Sequence, residues 1–150
     1  LFRSCRSKAA IVARDETEQG DRMLLNLGHT FGHALEALLH YDGERLVHGE
    51  GVAIGLACAH RFSARLGHCS IEDARRVEAH LRDVGLPARI NDIAGWNAGA
   101  EQVLDAMFQD KKVRGGALTF ILTRGIGKSF IAKGVAAAEV EAFLREELGR

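Results

Sequence analysis

Residues 22–39 read RMLLNLGHTFGHALEALL, and the fold of the chain turns on this stretch. Leu24, Leu27, Phe31, Ala34, Leu35 and Leu38 recur at the 3.6-residue period of an α-helix. That period predicts one long amphipathic helix from Arg22 to about Leu39. Its other side carries Arg22, Asn26, His29 and His33, at spacings of four, three and four. On an α-helix those spacings stack all four on one face. A guanidinium, a carboxamide and two imidazoles make a poor packing surface, so this stripe is expected to face solvent or a cavity with polar contents. Gly28 and Gly32 each precede a histidine, and each costs about 1 kcal/mol against alanine inside a helix. Either a ligand approaches the backbone there, or a neighbouring helix packs tightly through the small residues.

The elements around this helix follow from local signals. Residues 3–14 form a helix with an apolar stripe at Ala9, Ile11 and Val12, ended by the polar run from Asp15 to Asp21. Tyr41 to Arg45 reads as a loop. Gly49 to Leu66 is a helix whose first half is apolar all round, as in a buried central helix, and Gly67 is its C′ stop. Ser70 caps a further helix that ends near Val84, before Gly85 and Pro87. A short helix spans Glu101 to Gln109. The period then changes: Ala117 to Leu122 and Ser129 to Ile131 are rich in β-formers and flank TRGIGK, which predicts a hairpin. Ala137 to Leu148 closes the chain as a helix. The expected fold is mainly α, a bundle-like domain with one small β-hairpin.

Composition narrows the function. The chain has 150 residues, of which 47% are hydrophobic and 27% charged, as in an ordinary globular domain. Twenty basic and twenty acidic side chains cancel, so the positive field of a nucleic-acid binder is not expected. No apolar run reaches the length of a membrane span. Cys5, Cys58 and Cys69 are odd in number and lack CxxC spacing, the pattern of free thiols in a reducing cytoplasm. Leu1 opens the sequence without a signal-peptide pattern, as if inside a domain.

The chemistry-bearing residues point to a metal and an anion. His29 and His33, four apart, have the spacing of half a helical metal site, although the glutamate of HExxH is missing. His48, in LVHGEG at the mouth of the buried helix, is a third candidate, with Glu50 as the carboxylate that would orient it. His40, His60, His68 and His80 have no such company and read as surface or incidental. Lys8, Arg22, Asn26 and Lys111 together supply the donors that a doubly anionic small substrate needs, with Arg suited to carboxylate and Lys to phosphate.

The string KAAIVARDETEQGDRMLLNLGHTFGHALEA, followed by VHGEGVAIG, GLP, DKK and RGIGK, resembles the C-terminal domain of the 3-dehydroquinate synthase family, among the sugar phosphate cyclases. The resemblance runs from about Lys8 to Lys128. It implies conversion of 3-deoxy-D-arabino-heptulosonate 7-phosphate to 3-dehydroquinate in the shikimate pathway, with NAD and a divalent ion, usually zinc, as cofactors. It assigns two metal ligands to His29 and His48 and a catalytic, substrate-contacting role to His33, where spacing alone had paired His29 with His33. Glu18 is implied as an active-site carboxylate, and Lys8, Arg22, Asn26 and Lys111 as the substrate grip. It further implies a homodimeric, cytoplasmic enzyme in which the third metal ligand, a glutamate, and an NAD-binding domain precede these residues. No GxGxxG turn after a strand occurs here. A fragment inactive by itself is therefore the expectation.

Overall fold

A computed structural model describes residues 1–17, 20–110 and 117–149; of Asp110 and Ala117 only the backbone is described. Six α-helices and one hairpin follow in the order α1 (Phe2–Arg14), α2 (His29–Leu38), α3 (His48–Arg65), α4 (Ile71–Asp83), α5 (Ala100–Asp110), β1 (Ala117–Thr123), β2 (Ser129–Ala136) and α6 (Ala137–Leu148). Two 3-10 turns, Asp21–Asn26 and Ile90–Asp92, punctuate the chain. The mainly α architecture with one hairpin is the expected one.

The long helix expected from Arg22 is instead two pieces. Residues 21–26 wind as a 3-10 helix, Leu27 leaves helical geometry, and Gly28 takes a left-handed φ of 86° before α2 begins at His29. The break has a packing cause. A Cβ on Gly28 would stand 2.5 Å from the Leu56 backbone nitrogen and 2.7 Å from the Gly55 carbonyl carbon. One on Gly32 would stand 3.0 Å from the Gly51 carbonyl oxygen. Gly28 and Gly32 therefore let α2 cross α3 backbone to backbone, and of the two explanations open in the sequence, tight helix packing is the one realised.

Four phenylalanines centre the core. Phe31 of α2, Phe62 of α3, Phe120 of β1 and Phe143 of α6 hold ring centroids 4.9–6.2 Å apart, mostly edge to face. Ile54, Leu35, Val103, Met107, Leu122 and Leu144 are among the buried residues packed around them. Hydroxyls tie the hairpin to α3: Ser63 Oγ donates to the Ala59 carbonyl at 2.6 Å and accepts the Thr123 N–H at 3.0 Å. β1 and β2 are antiparallel, with Thr123 opposite Ser129 and Ala117 opposite Ala136, and a bulge between Leu118 and Phe120. β2 runs five residues beyond the expected end at Ile131.

A buried ion network clamps the far side. Arg61 on α3 donates Nε–H to Glu147 Oε1 of α6 at 2.7 Å, Nη1–H to Glu78 Oε2 of α4 at 3.2 Å, and Nη2–H to the Ala88 carbonyl at 3.1 Å. Glu78 also accepts from Arg89 at 2.9 Å and pairs with Arg82 at 3.1 Å. Ser70 caps α4 as expected, its side chain accepting the Asp73 N–H at 3.1 Å, and Gly67 takes φ 75° after α3. Among the described residues the three cysteines are free, and no helix is long and apolar enough to cross a membrane.

Candidate metal and substrate site

The site begins at the polar loop after α1. Asp15 Oδ2 accepts the backbone N–H of Gly20 at 2.8 Å and of Arg22 at 3.0 Å, which folds the chain back and starts the 3-10 turn. The Arg22 guanidinium donates from Nη1 to the Glu16 carbonyl at 2.6 Å, holding the side chain over the same loop. A 3-10 helix has three residues per turn, so Arg22 and Asn26 do not continue the α-helical stripe of His29 and His33. The fold brings them together by another route. Ser4, Ser7, Lys8, Arg22, Leu25, Asn26 and His29 line one cleft of about 370 Å³.

Lys8 thus joins Arg22 and Asn26 across the α1–loop junction. Ser4 and Ser7 were missed. Their signal was present, since Ser7 and Lys8 follow Ser4 by three and four residues on α1 and so share its face. Glu18 and Lys111, two more of the expected site residues, lie outside the described residues.

His29 is the inner wall of the cleft and one corner of a histidine triangle. Its ring centroid lies 5.4 Å from that of His33 and 5.8 Å from that of His48, and His33 and His48 are 6.1 Å apart. His48 is the first residue of α3, so the α2–α3 crossing delivers its imidazole to the other two. Imidazoles sharing one tetrahedral zinc through bonds of about 2 Å hold their ring centroids roughly 5 Å apart. The His29–His33 pair lies nearest that spacing and the His29–His48 pair somewhat beyond it, so spacing alone does not choose between them. Nδ1 of His29 is buried and has no hydrogen-bond partner among the described residues. Burial lowers the His29 pKa below its ordinary 6.5, helped by the His33 and His48 imidazoles; the Leu27 backbone and Glu36 pull the other way and are outweighed. A neutral imidazole with a free ring nitrogen is the form that ligates a metal. No three His, Cys, Asp or Glu side chains among the described residues are arranged to hold a cation without help. The donor set therefore fits a divalent ion as a partial shell.

The carboxylate beside His48 is Glu36, which the sequence reading missed. His48 Nδ1 lies 3.0 Å from Glu36 Oε1 and 3.2 Å from Oε2. Glu50, expected in that place, accepts the Val47 N–H at 3.1 Å and so caps the N-terminus of α3. Glu36 follows His29 by seven residues and His33 by three, which puts it on their helical face. A lone carboxylate in the apolar run ALEALL was the available clue. His60 also departs from expectation: it is buried, with Nδ1 2.8 Å from the Leu56 carbonyl, and serves α3 itself. His40, His68 and His80 are exposed.

The fold of this helical domain with its hairpin is shared with solved structures of the sugar phosphate cyclase family. 2-Deoxy-scyllo-inosose synthase, solved with carbaglucose-6-phosphate, NAD+ and Co2+, superposes with a TM-score of 0.77 at 25% identity, over 95% of this chain and 40% of that one. ValA, the 2-epi-5-epi-valiolone synthase of Streptomyces hygroscopicus with NAD+ and Zn2+ bound, shares the fold with a TM-score of 0.78 at 24% identity, over 99% of this chain and 39% of that one.

Within that class, residues 1–113 match the family described as 3-dehydroquinate synthase C-terminal, and the chain belongs to this family. It is 67% identical over 148 residues to the 3-dehydroquinate synthase of Brucella anthropi, covering 99% of this chain, and 68% identical over 146 residues to that of Mesorhizobium japonicum, covering 97%. It spans 39% of the length of each of these relatives.

Proposed function

We propose that this chain is the metal- and substrate-binding part of a 3-dehydroquinate synthase. The whole enzyme is then a phosphate-eliminating lyase that converts 3-deoxy-D-arabino-heptulosonate 7-phosphate to 3-dehydroquinate. The observation that carries this reading is the single cleft shared by Lys8, Arg22, Asn26 and His29, with the His33 and His48 rings against the last of these. Identity also separates the candidate activities. It is 62–68% to synthases named for dehydroquinate, and 24–25% to the two cyclases of other products.

His29 and His48 would hold the divalent ion, completed by a glutamate outside this chain, and NAD would bind chiefly to a domain also outside it. When bound, NAD supplies a reversible hydride acceptor and the ion supplies Lewis acidity. The residues here bind and orient. Lys8 offers a point charge to phosphate, Arg22 a planar pair of donors to carboxylate, and Asn26 a carboxamide between them. Fixing a dianion at several points converts much of the barrier into positioning made in advance. His33, within ring contact of both metal-ligand candidates, would take up and return a proton at a ring nitrogen. Glu18 and Lys111 keep their proposed places in the same network. The free thiols suit a cytoplasmic enzyme, and the homodimer implied by the family is tested by light scattering.

The experiment is kinetic, on a chain of the relatives' full length with phosphate release as the readout. Arg22→Gln removes charged hydrogen bonds worth about 1.5–3 kcal/mol each, so kcat/KM should fall on the order of tenfold or more. His48→Ala should abolish turnover together with stoichiometric zinc. Unchanged kcat/KM in Arg22→Gln would mean that the cleft is not the substrate site. Residues 1–150 alone, lacking the glutamate and the NAD domain, should release no phosphate.

A further inference from the structure

We propose that Glu36 is a positioning residue for the divalent ion, acting through His48. The inference rests on the metal reading above and extends it to a residue outside the ligand set. Glu36 sits on α2 with its side chain 10% exposed, whereas the His48 side chain it meets is 60% exposed. Both carboxylate oxygens, at 3.0 and 3.2 Å, face the same nitrogen, Nδ1. An ionised carboxylate only accepts hydrogen bonds, so this contact places a proton on Nδ1, and in the neutral ring Nε2 then keeps its lone pair. The ring is thereby fixed in one tautomer, and its free nitrogen points away from α2's carboxylate. An exposed imidazole at the first position of a helix would otherwise rotate freely.

The same stretch of α3 that carries His48 also lies against Glu36. Gly51 lies one turn after His48 on α3, and a Cβ there would stand 3.5 Å from Glu36 Cγ and 3.7 Å from Cδ. The carboxylate thus lies against α3 one turn from His48, at a distance that a Cβ on Gly51 would also tolerate. Glu50, nearer in sequence, is engaged with the Val47 N–H. The arrangement carboxylate–imidazole–cation is the one by which proteins raise ligand basicity and hold ring orientation.

The test uses a chain of the relatives' full length, titrated with Zn2+ against a chromophoric chelator, and with Co2+ for its visible spectrum. Glu36→Ala should weaken Zn2+ binding about 10–100-fold and alter the Co2+ spectrum. Glu36→Gln, which keeps an accepting oxygen and nearly the same volume, should weaken it less and keep the Nδ1-protonated tautomer of His48 by 15N NMR. A purely structural glutamate would lower the melting temperature in both variants while leaving Zn2+ affinity and the Co2+ spectrum native, and that result overturns the proposal. His48→Ala separates the two levels. Native Zn2+ affinity in His48→Ala removes the metal reading itself, whereas weakened affinity there with native affinity in Glu36→Ala and Glu36→Gln removes the role of Glu36 alone.

Discussion

Replacing Gly55 by alanine should pull α2 and α3 apart, and the structure sets the size of the effect. A Cβ on Gly55 would be driven into the Gly28 carbonyl oxygen, and would stand 2.9 Å from the Gly28 carbonyl carbon and 3.1 Å from the Gly32 nitrogen. All three neighbours are backbone, so no side chain can swing aside. Carbon atoms prefer about 3.5–4.0 Å, and the crossing would have to open by roughly 1 Å. Overpacking of this kind costs typically 1–3 kcal/mol. Because every atom met is backbone we take the upper end, and subtract about 1 kcal/mol for the better helix propensity of alanine. The net loss of about 2 kcal/mol corresponds to a fall in Tm of about 4–8 °C in a domain of this size. Calorimetry of Gly55→Ala beside Gly49→Ala provides the control. Gly49 is also in α3 and has nothing within 4 Å of a Cβ, so that variant should be neutral or slightly stabilised. If Gly55→Ala melts at or above the native temperature, the backbone-to-backbone crossing is refuted.

Two further perturbations probe the site and the core. Burial lowers the His29 pKa from 6.5, so the metal-free native state binds that proton less readily than the unfolded chain. Its stability should be full above about pH 6.5 and decline as pH falls from there toward the lowered native value; urea titrations across that range should show the slope, and His29→Asn should flatten it. Arg61→Ala strands Glu147, whose side chain is 7% exposed, while Glu78 keeps Arg89 and Arg82; the loss should cost about 3–5 kcal/mol, measured as a drop in the urea midpoint.

The sequence disclosed the elements better than their joints. Periodicity found α3, α4 and α6 because their apolar stripes are continuous and their ends carry Ser70, Gly67 and Gly85. It failed between Arg22 and Leu39 because Leu24, Leu27 and Phe31 keep helical spacing across a real break. That break is set by a tertiary fact, the approach of the Gly55–Leu56 backbone to Gly28, which no local period records. The candidate site residues stand out in the sequence by type and by the family resemblance, whereas helical spacing misplaces Arg22 and Asn26. Lys8, Arg22, Asn26 and His29 do meet, but across a helix, a loop and a 3-10 turn rather than along one stripe. Glu36 was hidden for a related reason. It follows His29 and His33 on the same face, yet its partner His48 arrives from another helix, and proximity in sequence favoured Glu50. The two explanations for Gly28 and Gly32 could not be separated until α3 was seen beside them.

The account stands most directly on His29 and His48 sharing one cation. Zinc-edge X-ray absorption on a chain of the relatives' full length measures this by counting imidazole nitrogens around the ion. Two histidines should ligate at about 2.0–2.1 Å, falling to one in His48→Ala, with His33→Ala leaving the count at two. A shell without imidazole, or one unchanged by His48→Ala, would contradict the assignment.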